Sequence, residues 1–194
     1  MAPTEIASKA SDPLATFAAP VVQIRPYRPE DKKEVDALFA AGMLFCGGDH
    51  PEFLYLWENY IEECLDDDLA NIENVYVKPG GNFWVATIDD EQQDGGRREK
   101  VIGMVGLEAK PNQEGELRRM SVDSAYRRYG VGRMLVTHLE TWAKANGFVK
   151  VWLTTGEVMI HARKFYLSMG YEHTRTIVVS EEPRFQAFYF TKTL

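Results

Sequence analysis

Cysteine is nearly absent: Cys46 and Cys64 are the two thiols among 194 residues. There is no CxxC pair and no Cys/His cluster at zinc-ligand spacing, so neither a disulfide framework nor a structural zinc is expected, and two free thiols suit a reducing compartment. No metal dependence is expected. Long apolar runs are missing too. The longest, Val101 to Leu107, is far short of the ~20 residues that cross a bilayer. Positive charge is in deficit, with 22 Lys and Arg against 29 Asp and Glu and a formal charge of -7. A wholesale electrostatic grip on nucleic acid or anionic lipid is therefore disfavoured, and any anionic ligand must be held locally. The first twenty residues lack an apolar signal core and carry Glu5 and Asp12. They read as a disordered tail (1–20), with the cytoplasm as the expected location.

What is present is a globular composition, 45% apolar and 26% charged, over a length that sustains one core. Periodicity predicts a strand at Val21 to Arg25, then a helix opened by Pro29, Glu30 and Asp31 and fading into Gly42 to Pro51. A second helix carries Phe53, Leu54, Leu56, Trp57, Tyr60, Ile61, Cys64 and Leu65, and ends in Glu62, Glu63, Asp66, Asp67 and Asp68. That acidic end reads as a solvated face, or as a collar for a cationic acceptor. Phe83 to Ile88 and Lys100 to Glu108 form a predicted hairpin around a mobile polar loop, Asp89 to Glu99. A strand at Glu116 to Val122, a helix at Gly130 to Asn146 and a strand at Val149 to Thr155 follow. A helix from Val158 to Met169 precedes two last strands, Tyr171 to Val179 and Phe185 to Thr191. Residues 21–194 read as one domain.

The densest chemical signal is Glu116-Leu117-Arg118-Arg119-Met120-Ser121-Val122-Asp123, a loop, then Arg127-Arg128-Tyr129-Gly130-Val131-Gly132-Arg133 opening a helix. Unpaired N–H groups at a helix start can seat an anion, and glycine lets it come close. The same residues also fit a helix start with no ligand. A Rossmann fingerprint would need glycine where Leu135 stands, and no GxxxxGK[ST] occurs. Hydride transfer and nucleotide hydrolysis lose support.

Arg127-x-x-Gly130-x-Gly132, after a strand ending Met120-Ser121-Val122-Asp123, resembles the acetyl-CoA motif of the GCN5-related N-acetyltransferases (GNAT). Ala162-Arg163-Lys164-Phe165-Tyr166, running on to Gly170-Tyr171, resembles that family's later motif. The resemblance implies an α/β single-domain fold, a mixed twisted sheet of about seven strands flanked by about four helices. Leu65 to Ile72, Asn82 to Ala86 and Leu167 to Tyr171 resemble the branch with cysteine-conjugate and aspartate N-acetyltransferases. Gly47 to Glu52 stands where those vertebrate enzymes carry a membrane anchor, which implies a soluble relative.

By the same resemblance acetyl-CoA is the co-substrate. Its diphosphate would lie on backbone N–H groups from Arg128 to Arg133, alongside Arg127, Tyr129, Gly130, Val131 and Gly132. Its pantetheine arm would lie between the strands Glu116 to Val122 and Val149 to Thr155, against Met120, Ser121 and Val122. A backbone N–H near Val122 would meet the acetyl carbonyl. Tyr166 resembles the general acid, although its place also fits an apolar helical stripe. Glu116, six residues before Val122, is the candidate base; solvent exposure or pairing with Arg118 is the structural alternative. Thr154 and Thr155 occupy the place where some relatives have a carboxylate, and cannot act as bases at neutral pH. Met159 stands where many relatives carry Asn, and His161 is a secondary candidate base. Alternation puts Arg118 and Arg119 on opposite faces. Arg118 is expected to pair with Glu116 or an acceptor carboxylate, and Arg119 with a structural carboxylate. Cys46 and Cys64 fall outside both motifs, which argues against a covalent acetyl-cysteine.

The activity so implied is direct acetyl transfer to a primary amine, of a small amine or amino-acid derivative. A protein lysine or N-terminus is an alternative acceptor, and a non-catalytic acyl-CoA sensor is an alternative of another class. No nucleic-acid or membrane partner is expected, and pairing of the final strands across a homodimer is left open.

Overall fold

A computed structural model describes residues 20–47, 50–91 and 97–194. The expected tail, but for Pro20, and the tip of the loop from Asp89 to Glu99 lie outside the described residues. Among the described residues are seven strands: β1 Gln23–Pro26, β2 Asn82–Glu91, β3 Arg97–Lys110, β4 Glu114–Val122, β5 Lys150–Gly156, β6 Glu172–Glu181 and β7 Arg184–Thr193. Four α-helices accompany them: α1 Lys32–Gly47, α2 Leu54–Asp66, α3 Val131–Ala145 and α4 Ile160–Ser168. The strands form one mixed sheet in the order β1-β2-β3-β4-β5-β7-β6. Every neighbouring pair is antiparallel except β4 and β5, which the α3 crossover makes parallel.

β2 shows why the sheet is covered on both sides. Trp84, Ala86 and Ile88 pack in one cluster with Leu135, Leu139 and Ala143 of α3 and Tyr166 of α4. Phe83 and Val85 turn the other way, to Phe39 of α1 and Trp57 and Ile61 of α2. An unbroken apolar run is what a strand buried on both faces requires. α3 and α4 end where the sequence predicts, at left-handed Gly147 and Gly170 (φ 85° in each).

The first helix departs from expectation, since α1 runs through Gly42 to Gly47. A β-carbon at Gly42 would sit 2.3 Å from Ser121 Oγ, and Ser121 donates to the Leu38 carbonyl at 3.2 Å. The glycine is a point of close helix-strand approach, and tertiary packing outweighs its weak helix propensity.

Candidate functional site

β4 and β5 pair at Glu114 with Lys150, Gly115 with Val151 and Glu116 with Trp152, and no further. β5 stays with β7 as far as Gly156 opposite Ala187, so Leu117 to Val122 leave β5 and a slot opens in mid-sheet. The start of α3 follows from the far end of β4. Asp123 accepts from the Ala125 N–H at 3.0 Å, a turn of 3-10 helix spans Ser124–Tyr129, and Gly130 adopts φ 77°. Met134 is the first residue to reach back into the helix, to the Gly130 carbonyl at 3.0 Å. The N–H groups of Val131, Gly132 and Arg133 therefore have no helical carbonyl to bond. Nothing lies within 4 Å of where a Gly130 β-carbon would be. The turn is an open cradle of main-chain donors at the positive end of a helix, which fits a diphosphate.

Around this cradle the other motif residues have distinct places. Arg127 turns back toward α1: its Nε donates to the Val122 carbonyl at 3.1 Å, and its guanidinium stacks 3.9 Å from the Phe45 ring. Arg128 and Tyr129 are exposed. Arg133 Nη2 reaches Ser168 Oγ at 3.3 Å, tying α3 to α4. A β-carbon on Gly132 would meet Met120 at 3.1 Å and Phe165 at 3.6 Å, so this glycine lets β4, α3 and α4 converge. Tyr166 is 6% exposed, its ring among those of Phe165, Tyr171 and Phe190, and burial pushes its phenol up. His161 is exposed on α4, and Met159 Sδ accepts from Thr155 Oγ1 at 3.4 Å.

The two arginines of β4 correct the alternation argument. Against β3, Arg118 faces Gly106 and Ser121 faces Met104, so Arg119 and Met120 together oppose Val105. This is a β-bulge, with Arg119 at φ 54°. The extra residue puts both guanidinium groups on the α1–α2 face and returns Met120 to the other. Arg118 pairs with Glu108 at 2.6 Å and not with Glu116, whose partner is Lys110 at 2.9 Å. Burial opposes the charges here, yet Lys110 and Arg118 hold the Glu108 carboxyl below its usual range.

Arg119 and Asp68 form a buried fork. Arg119 Nε donates to Asp68 Oδ2 at 2.8 Å, Nη2 donates to Oδ1, and Nη1 donates to Tyr60 Oη at 2.7 Å. The guanidinium lies over the rings of Phe39 and Tyr60. Asp68 also accepts from the Tyr76 hydroxyl, and Arg118 Nη2 is 3.7 Å away. Asp68 is thus neither a solvated acid nor part of a collar: it is 1% exposed, whereas Glu62, Glu63, Asp66 and Asp67 are exposed. Burial would raise its carboxyl, but Arg119, Tyr76 and Arg118 outweigh burial and hold it low. The sequence signals for this fork are an acid just past a helix C-terminus, where the dipole disfavours it, and two adjacent arginines on a covered strand that need carboxylates.

The model of the Acetyltransferase (GNAT) family matches residues 49–171, more than half of the chain, and the chain belongs to that family. Similar proteins include N-acetylaspartate synthetase of Xenopus tropicalis, 37% identical over 123 residues, which are 61% of this chain and 41% of that protein. N-acetyltransferase family 8 member 2 of Rattus norvegicus is 31% identical over 141 residues, covering 70% of this chain and 60% of that one. The matches thus span about half the length of these relatives. Among solved structures, PaiA N-acetyltransferase of Thermoplasma acidophilum, in complex with coenzyme A, superposes with a TM-score of 0.68 at 16% identity. It covers 90% of this chain and 99% of its own. A GNAT acetyltransferase of Staphylococcus aureus gives 0.65 at 21% identity, with 90% and 99% covered. These show a shared fold. Among the described residues no helix is long and apolar enough to cross a membrane.

Proposed function

We propose that the chain is an acetyl-CoA-dependent N-acetyltransferase acting directly on a primary amine, of a small amine or amino-acid derivative. The observation that carries this reading is the slot: β4 leaves β5 beyond Glu116, and the open turn at Gly130 follows at its far end. The N–H groups of Val131 to Arg133 hold the donor's diphosphate, and the diverging strands take its arm. Acetyl-CoA, when bound, supplies the acyl group and a thiol leaving group. The amide offered to the acyl carbonyl is that of Met120, which lies in the bulge two residues before Val122.

Tyr166 delivers a proton toward the departing thiolate. Its raised pKa makes it a reluctant donor, but the apolar surroundings that raise it also raise a thiolate beside it, so the difference between the two is reduced. Glu116, held by Lys110, takes the amine proton directly or through water. Arg118 is the residue suited to an acceptor carboxylate: its side chain is 24% exposed against 4% for Arg119. The similarity to proteins named N-acetylaspartate synthetase and N-acetyltransferase supports an amino-acid-like acceptor.

The test is a panel of amines, amino acids and peptides incubated with acetyl-CoA, with product mass and free thiol measured. Acceptor-dependent thiol and a product heavier by one acetyl group are expected, with amino-acid derivatives ahead of peptides. Tight donor binding without acceptor-dependent thiol would make the chain a sensor; peptides ahead of all small amines would move the acceptor to protein.

A further inference from the structure

Arg119 presents an unusual combination. It is an arginine in the left-handed region, in mid-strand, with its guanidinium almost wholly buried. Left-handed backbone is strained for a side chain that is not glycine, and persists only where surroundings impose it. Here they are identifiable. Asp68, just beyond α2, takes the Arg119 fork in two hydrogen bonds; Tyr60 of α2 takes a third; Phe39 of α1 and Tyr60 flank the plane. Asp68 is in turn held by Tyr76, on the segment that leads into β2. α1, α2 and the turn after α2 thus meet on one guanidinium of β4, and the Tyr76 segment is tied in through Asp68, directly beside the bulge.

We propose that the Arg119–Asp68 fork is the positioning device of the acyl-transfer site: it holds the bulge in the one conformation that aims the Met120 N–H into the slot. This rests on the transferase reading above. Arg119 touches no substrate and acts through the backbone of its neighbour. The fork also transmits the position of α2 to β4, because Tyr60 and Asp68 move with that helix. A lysine cannot replace it, since an ammonium has no planar fork to match a carboxylate.

The discriminating comparison is Arg119→Gly against Arg119→Ala. Both remove the guanidinium, but only glycine accepts φ 54° without strain. Asp68 keeps Tyr76 and Arg118 in either variant. If the fork works by holding the bulge, Arg119→Ala lowers kcat about 10²-fold, Arg119→Gly recovers roughly tenfold of that loss, and Arg119→Lys resembles alanine. Calorimetric Kd for coenzyme A stays within about twofold in all three, since the diphosphate cradle is separate. Glycine no better than alanine, or coenzyme A affinity falling in step with kcat, overturns the proposal. If Arg119→Ala does not fold, Asp68→Asn serves, with kcat down about tenfold at unchanged coenzyme A affinity; an unchanged kcat overturns it.

A second readout needs no turnover. The Met120 amide resonance is expected to differ between the coenzyme A and acetyl-CoA complexes of the wild type, and to lose that difference in Asp68→Asn. Should no amine be acetylated, the transferase reading fails, yet this pair of spectra still decides the fork. A Met120 amide indifferent to the acetyl group, or one whose response survives in Asp68→Asn, overturns it.

Discussion

The two faces of the sheet are built by different physics. On the α3–α4 face, Trp84, Val105, Leu107, Leu135, Leu139 and Leu153 make an apolar layer, and the site elements there, a glycine turn and a tyrosine, come from short local motifs. On the α1–α2 face, an ion pair and a hydroxyl are buried in the layer: Asp68, Arg119 and Ser121 are all inside. The partners lie far apart in sequence, Asp68 and Arg119 being 51 positions apart. An apolar layer tolerates small shifts, because dispersion and desolvation are non-directional. A buried ion pair does not, because either partner left alone is costly and the fork has one good geometry. The face behind β4 thus holds its bulge with directional contacts, whereas the other face lines the sheet with apolar surface.

Four experiments test the difference between the faces. The largest effect is expected on the motif face: Tyr166→Phe should lower turnover about 10² to 10⁴-fold, with coenzyme A affinity nearly unchanged. Turnover at the wild-type level in a folded variant would return Tyr166 to the core as packing. Asp68→Ala should cost roughly 3–5 kcal/mol of stability by urea unfolding, since it strands Arg119 in the interior. A loss below about 1 kcal/mol would mean that the charged face is no more exacting than a surface.

The third concerns acid. Asp68 titrates below its ordinary value in the folded chain, so the unfolded chain takes the proton first. Its contribution is complete above the unfolded value near ~4 and is lost as pH falls through the folded value. The slope is at most about 1.4 kcal/mol per pH unit. Unfolding curves measured below pH 4 should flatten in Asp68→Asn; identical acid sensitivity would assign the loss to other carboxyls such as Asp31, which Arg25 holds low against burial. The smallest effect is expected at Gly130→Ala. No atom obstructs the new β-carbon, so only the φ 77° backbone resists, by about 1 kcal/mol in denaturant midpoint analysis. A much larger loss would reveal a contact that the open turn does not show.

Much of the fold was legible in the sequence because its signals are local. Gly147 and Gly170 closed α3 and α4 as predicted, and the positions of strands along the chain followed from apolar runs such as Val101 to Leu107. Gly42 misled, since a glycine reads as a break until the strand pressing on it is known. Arg118 and Arg119 misled for a related reason: period-two alternation holds only while the ladder is regular, and the bulge inserts one residue that no propensity announces. Asp68 hid in a run of acids whose other members face water. Its partners Tyr76 and Arg119, and Tyr60 beyond Arg119, have no spacing rule that would link them.

Residues close along the chain are enough to specify the two motifs, the glycine turn with its unpaired N–H groups and the alternation of strand and helix. Tertiary structure alone decided where β4 parts from β5, which face its arginines take and which carboxylate answers them. Those outcomes follow from register between strands and from burial of charge, and both are set by chain segments that meet only when the whole sheet has formed.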